Sequence, residues 1–403
     1  MANSDNNKPT ELQTVDMGNT NNNAVDNAFY GNYLYTSASY DRIYIYDISD
    51  PAAPEYAATF TDGTYIITPT VMEIVDTYMY VGVNTTNSNY MAIVDVSTPT
   101  SLSVAGHFGA GEGTYVQGAT DIVSKGDYLY VCKDTYVTVY DISNRTSPVR
   151  VKALSGGTSP NFINLAKQMQ IVGNYLYVTN RNSSRVNIID ITDPPNAYTL
   201  SSIATGISPW NMFTDGTTMW VGGYSTSQNP FIQIDVSDKE NPSITGSWGA
   251  DYKGTSSLYS YNNGMWVDVV NNLCYISWRD STSDTIKIFN ISDIENVTLV
   301  NTCGRTNPDR IRYNNGYLYT AGNSKTYSYN VIVYKYSGLI TTTADIHALE
   351  MDTMDRVDSW SVSAGNYTIA PIYRSDQLHV IAVDSSTKQI MGYGEVTPII
   401  SEL

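Results

Sequence analysis

Catalysis needs titratable or nucleophilic side chains brought together, and this chain offers few. Arg310 and Arg312 are the one basic pair that the layout derived below brings near a common axis, and no histidine joins them. Asp280 and Asp284 lie in a Ser- and Thr-rich stretch and read as a solvated loop rather than an acid/base pair. His107 and His379 have no Ser or Cys nearby in a nucleophile context. There is no Gly-x-Ser-x-Gly, no His-Glu-x-x-His, no phosphate-binding Gly-rich loop before a helix and no regular calcium loop. The types that do suit recognition are aromatic: Tyr115, Phe162, Trp210, Tyr224, Tyr252, Trp278 and Tyr327, set among Asn, Ser and Thr. Aromatic plates beside neutral hydrogen-bonding groups fit sugars or protein epitopes. Tyr115, Trp210, Tyr224, Tyr252, Trp278 and Tyr327, with Arg310 and Arg312, are therefore the candidate ligand-binding residues, and Trp210 and Trp278 the foremost; about half of the aromatics are expected to pack between blades instead.

What must position them is a repeat. Tyr128-Leu129-Tyr130-Val131 followed by Val137 to Ser143 recurs seven times in altered form. Its Asp-Ile-Ser marker falls at Asp47, Asp95, Asp141, Asp190 and Asp235, with Asn290 and Lys335 in the last two copies. A period in the range of about 45–55 residues, filled with short alternating strands, is the signature of a β-propeller with one four-stranded blade per repeat. In the third copy Ala119–Ser124, Tyr128–Cys132, Val137–Ile142 and Val149–Leu154 read as strands, with Gly126-Asp127 as the first turn. The second-to-third-strand loops and the inter-blade stretches are long and varied: Asn84–Asn89, Asn180–Ser184, Tyr224–Asn229, Trp278–Asp284 and Asn323–Tyr329, then Gly111–Gln117, Pro160–Asn164, Ser208–Asn211 and Tyr252–Tyr261. They share one face, and function is expected there. Asp residues repeated by symmetry point instead to a structural role.

The pattern resembles the LVIVD-repeat β-propellers, named for the third-strand motif. Here it reads Met91-Ala92-Ile93-Val94-Asp95, Asn187-Ile188-Ile189-Asp190 and Phe231 to Asp235, with Gly-Asn-Tyr-Leu-Tyr upstream at Gly31–Tyr35 and Gly173–Tyr177. The resemblance spans residues 9–338 and implies architecture; it implies no catalytic residues. The expected fold is all-β: a seven-bladed β-propeller over 9–338, a polar tail at 1–8 and a small C-terminal β-domain at 339–403. Pro9–Gly18 matches the fourth-strand pieces and is expected to close the last blade; Leu339–Ala344 is the rival. In the C-terminal part Val357–Ser363, Tyr367–Tyr373, Leu378–Asp384 and Gln389–Val396 read as strands, and Ile346–Met354 as a weak helix.

Of 403 residues, 42% are hydrophobic and only 15% charged, against about 25% in typical chains, while 34 are Tyr. Such a neutral-polar, Tyr-rich composition suits an exposed, secreted or virion protein. A net charge of −17 argues against nucleic acid and anionic membrane partners and is read as solubility, with calcium attraction as the lesser possibility. Cys132, Cys274 and Cys303 read as three buried thiols, and His107, His347 and His379 are too scattered for a zinc site. Met1–Lys8 is polar and unlike a secretory leader, and no apolar run spans a membrane. The expectation is a non-enzymatic virion surface, decoration or fibre-type protein of a prokaryotic virus, without cofactor or metal. Its propeller binds host glycan or protein; its C-terminal domain or N-terminal tail joins other virion proteins, with homo-oligomers possible. The alternatives are a secreted or cell-surface adhesion module and a polysaccharide lyase or hydrolase with its site in the central funnel.

Overall fold

The structure, a computed structural model, describes residues 10–16, 24–38, 41–51, 53–84, 90–110, 113–156, 159, 161–225, 228–250, 264–279, 284–303, 307–314, 317–323, 330–335, 344–350, 356–362, 378–384 and 390–396. Two compact units emerge: Pro9–Val267 with Cys274–Tyr336, and Met1–Lys8 with Asp268–Leu273 and Ser337–Leu403.

The larger unit is an all-β propeller. It opens with β1 (Thr10–Asp16). The first blade follows: β2 (Ala24–Tyr30), β3 (Tyr33–Ala38), β4 (Arg42–Asp47) and β5 (Glu55–Thr61). The second is β6 (Pro69–Val75), β7 (Tyr78–Val83), β8 (Met91–Asp95) and β9 (Ser103–Phe108). A helical turn, α1 (Gly113–Val116), leads to β10 (Asp121–Lys125), β11 (Tyr128–Lys133), β12 (Tyr136–Asp141) and β13 (Val149–Ser155). The fourth blade is β14 (Ala166–Val172), β15 (Tyr175–Asn180), β16 (Arg185–Asp190) and β17 (Tyr198–Ala204). The fifth is β18 (Ser208–Thr214), β19 (Thr218–Tyr224), β20 (Phe231–Asp235) and β21 (Ser243–Trp248). The sixth is β22 (Met265–Asp268), β23 (Leu273–Arg279), β24 (Asp284–Asn290) and β25 (Thr298–Cys303). These six blades are built from consecutive strands. A further four-stranded sheet has the order β1-β28-β27-β26, made from β26 (Asn307–Asn314), β27 (Tyr317–Asn323) and β28 (Asn330–Lys335) with the N-terminal strand.

Local chemistry explains each blade. The first hairpin turns on Gly31, Gly126 or Gly173, each at φ near +56°, a region open to glycine at no steric cost. Asp76 and Asn272 take the same role with φ 55°, as short polar side chains can. The second strand then buries the second Tyr of each Tyr-x-Tyr pair, and Tyr275 in the matching place of Leu273-Cys274-Tyr275. Tyr35, Tyr80, Tyr130, Tyr177, Tyr275 and Tyr319 are fully buried, each stabilising by on the order of 2 kcal/mol. They form wedges between sheets. Tyr35 packs with Met72 and Val81 of the second blade, and Tyr319 of β27 with Ala24 and Leu34 of the first. Tyr35 Oη donates to the Pro99 carbonyl at 3.4 Å and Tyr80 Oη to that of Arg145 at 3.1 Å, each in the next blade's outer turn. The outer strands are largely exposed: in β5 no residue is buried. A register slip recurs where they join the third strands, for example at Ile45/Tyr46, Val139/Tyr140 and Ile288/Phe289, a bulge that adds twist.

The second unit holds one antiparallel sheet in the order β30-β29-β31-β32, from β29 (Ala344–Glu350), β30 (Arg356–Val362), β31 (Leu378–Asp384) and β32 (Ile390–Val396). The expected helix at Ile346–Met354 is corrected: Ile346 pairs with Trp360 on one side and Ala382 on the other. Bonding along both edges of the segment outweighs a weak local helical pattern. Ala344, the end of the rival closing segment, belongs to this sheet, while β1 pairs with β28. The expected strand at Tyr367–Tyr373 and the tail at 1–8 lie outside the described residues.

Candidate functional site

The first strand of each blade is a sheet edge with unpaired N–H groups, and these edges face one another across blade boundaries. Polar side chains on these inner strands satisfy the neighbouring edge. Asp26 Oδ2 on β2 accepts the Met72 N–H of β6 at 3.0 Å. Glu73 on β6 accepts the Ser124 N–H at 3.1 Å and its hydroxyl at 2.6 Å. Asp121 Oδ2 on β10 accepts the Met169 N–H of β14 at 2.7 Å. Gln168 and Gln170 accept the N–H groups of Met212 and Thr214 at 2.7 and 2.9 Å.

Arg310 and Arg312 on β26 reverse the polarity and donate. Arg310 Nη1 meets Asp121 Oδ1 at 2.6 Å, its Nη2 donates to the Thr120 carbonyl at 2.8 Å, and its Nε lies 3.4 Å from Asp26. Arg312 Nη2 lies 3.3 Å from Asp26 Oδ1. Burial alone would lower the Arg310 pKa, but the charges of Asp121 and Asp26 offset it and hold it above the ordinary value. Burial raises the Glu73 pKa to about 6, against the lowering effects of Ser124 and Arg312. A carboxyl of that pKa within reach of the Arg312 charge has the ingredients of acid/base chemistry, yet its bonds, like those of Asp26 and Asp121, are spent holding neighbouring sheets. Among the described residues no three His, Cys, Asp or Glu side chains gather as metal ligands do.

The aromatic candidates scatter. Trp210 was expected in a loop; it lies in β18 and only 7% of it is exposed, because the inner strand begins at Ser208, before Pro209. Arg181 sits over its ring at 4.2 Å and Lys167 at 5.1 Å. Trp278, also expected in a loop, lies near the end of β23, and its side chain is outside those described. Tyr115 is in α1, edge-on to Tyr136 at 4.8 Å with Arg150 over it at 4.3 Å. Tyr224 ends β19 and packs on the core shared by the fifth and sixth blades. Tyr252 and Tyr327 lie outside the described residues. The acceptor belt is absent from the residues expected at the site, although Asp26, Asp121 and Gln168 precede the hairpin glycines Gly31, Gly126 and Gly173 at one constant spacing.

The repeated Asp is a turn clamp. Asp47, Asp95, Asp141, Asp190 and Asp235 accept the N–H two residues on at 2.8 Å, and Asn290 does so at 2.9 Å. An amide oxygen serves as well as a carboxylate, which explains the substitution at Asn290. The Lys335 side chain is outside those described.

The LVIVD repeat model matches residues 22–62, 72–109, 118–154 and 165–205, which are the first four blades. Four LVIVD repeats are thus present in the chain, consistent with an LVIVD-repeat β-propeller. No curated protein matches it. Among solved structures it is similar to the computationally designed Ika8 protein, at 11% identity and TM-score 0.52, over 81% of this chain and 99% of that one. It is likewise similar to a functionally unknown protein from Desulfotomaculum acetoxidans DSM 771, at 14% identity and TM-score 0.52, over 68% and 88% of the two chains. At such identities the likeness is one of fold. In this LVIVD-repeat protein the motif strand Met91–Asp95 buries Met91, Ala92, Ile93 and Val94 and ends on the clamp Asp95. Cys132 and Cys274 are buried free thiols, with burial pushing Cys132 up to about 12 and Cys274 upward as well; the side chain of Cys303 is outside those described.

Proposed function

We propose that this chain is a non-enzymatic recognition protein, a surface, decoration or fibre-type component of a prokaryotic virion whose propeller presents a binding face for host glycan or protein. The observation that carries this reading is the fate of the inner-strand charges. The groups that a funnel enzyme would aim at substrate, namely Asp26, Glu73, Asp121 and Arg310, are taken up in sheet-to-sheet bonds. What is left for a ligand is the face of long, varied loops, and the sparsely charged, Tyr-rich composition suits an exposed setting. In this reading the β1-β28-β27-β26 sheet is a seventh blade, closed by the N-terminal strand. Packing of Tyr319 against Ala24 and Leu34 supports that ring. The C-terminal sheet or the N-terminal tail joins the ring to other virion proteins. Mass spectrometry of purified virus particles tests the placement. The chain should be present in fixed proportion to the capsid protein; finding it only on cells or in the medium would favour an adhesion module instead.

A further inference from the structure

The inner strands slip register near their starts, between Ala24 and Asp26, Pro69 and Val71, Ala166 and Met169, Pro209 and Asn211, and Pro308 and Arg310. Such a bulge frees a residue from pairing and re-aims its side chain. In β14 the freed residues include Lys167; in β18, the matching strand of the next blade, it is Trp210. The two meet. Lys167 Nζ lies 5.1 Å from the Trp210 ring centre, and the guanidinium of Arg181, just beyond β15, lies 4.2 Å from it. The backbone holding them is fixed: Arg181 N–H donates to the Leu165 carbonyl at 3.1 Å, and Ser208 Oγ to the Arg181 carbonyl at 3.0 Å.

Two cations thus stand against one ring, both only partly buried, and neither makes an ion pair with a carboxylate among the described residues. Asp134, which acts weakly on Lys167, is engaged 3.9 Å away by Lys133. Burial and the neighbouring Arg181 charge push the Lys167 pKa below its ordinary value. In a chain of net charge −17, Lys167 and Arg181 thus set two positive charges against one ring. Arg181 offers a planar fork suited to a carboxylate and Lys167 a point charge. Asn182 N–H donates to the Asn164 carbonyl at 3.2 Å and Ser183 Oγ to the Phe162 carbonyl at 2.7 Å, which fixes the turn that carries Arg181.

We propose that Lys167 and Arg181, backed by Trp210, bind the carboxylate of an acidic sugar. The proposal rests on the recognition reading above and narrows its ligand to anionic glycans. Calorimetric titration of the full chain at low salt tests it, with a glucuronate-containing oligosaccharide, the same oligosaccharide carrying glucose in place of glucuronate, and inorganic sulfate. The acidic oligosaccharide should bind at least about tenfold more tightly than the neutral one. Lys167→Gln and Arg181→Gln should each weaken it by about tenfold, the worth of one charged hydrogen bond, with Arg181→Lys retaining part of the affinity and all variants keeping the thermal midpoint. Equal binding of the two oligosaccharides, or no effect of either Gln variant, would overturn the inference and leave the recognition reading standing. Sulfate binding as tightly as the acidic oligosaccharide would overturn the sugar assignment. Binding of neither oligosaccharide would overturn the inference as well, while attachment of labelled chain to host cells judges the recognition reading separately.

Discussion

Arg310 Nη1 lies 2.6 Å from Asp121 Oδ1, although 189 residues separate them in the chain. The other oxygen of Asp121 holds the Met169 N–H at 2.7 Å, so one carboxylate ties β26, β10 and β14 together. The two side chains are only 14% and 3% exposed, and removing one charge strands the other.

Arg310→Met should therefore cost about 3–5 kcal/mol, as expected when a buried pair loses one partner. Arg310→Met combined with Asp121→Asn should recover part of that loss. Urea unfolding of the single and double variants measures both, and an Arg310→Met variant as stable as the parent would show that the pair holds nothing.

Glu73 gives a pH signature. Its pKa is about 6 when folded, against 4.5 for the unperturbed group. The folded chain binds more protons between those values, so this group's contribution to stability falls as pH rises from 4.5 through 6. The full effect is on the order of 2 kcal/mol. Glu73→Gln should flatten that part of the stability profile. An unchanged profile between pH 4 and pH 7 would count against a desolvated Glu73.

The turn clamps titrate the other way. Bonds from Ser49 hold Asp47 below the usual carboxylate range, as bonds from Ser237 do Asp235. Their contribution is present above the ordinary carboxylate pKa and lost as pH falls through the lowered one. Asp235→Asn should be milder than Asp235→Ala in thermal unfolding at neutral pH, since Asn290 makes the same bond naturally. Equal losses for the two would show that the side-chain oxygen is not what holds the turn.

Closure by β1 is tested by removing it. Thr14 pairs with Ile332 and Val15 with Val331, so deleting residues 1–16 leaves β28 as an open edge. The shortened chain should associate in a concentration-dependent way and lose hydrogen-exchange protection in β28. A shortened chain that remains monomeric and fully protected would contradict the ring closure proposed.

What was legible in the sequence was what repeats locally. The Tyr-x-Tyr strands and the Asp clamps recur in the same order once per repeat, and Leu378–Asp384 was bounded as observed because its alternation is flanked by turn residues. Trp210 was misplaced because Pro209 reads as a loop breaker, whereas the strand accommodates it at a bulge. Ile346 was misread because its two strand partners, Trp360 and Ala382, are distant in sequence. The belt of Asp26, Glu73 and Asp121 carried a signal in the fixed offset of Asp26 and Asp121 from the hairpin glycines, but its pairing with Arg310 was not legible, because these partners sit in other repeats.

The central claim is recognition without chemistry. Acidic and neutral surface polysaccharides can be passed over the immobilised full chain, and the retained material eluted and sized, with its chain ends analysed by mass spectrometry. The account predicts retention of polysaccharide that is recovered at its original length with unaltered ends. Shortened chains, or new unsaturated or reducing ends formed in proportion to the protein present, would contradict it and place an enzyme at the inner strands.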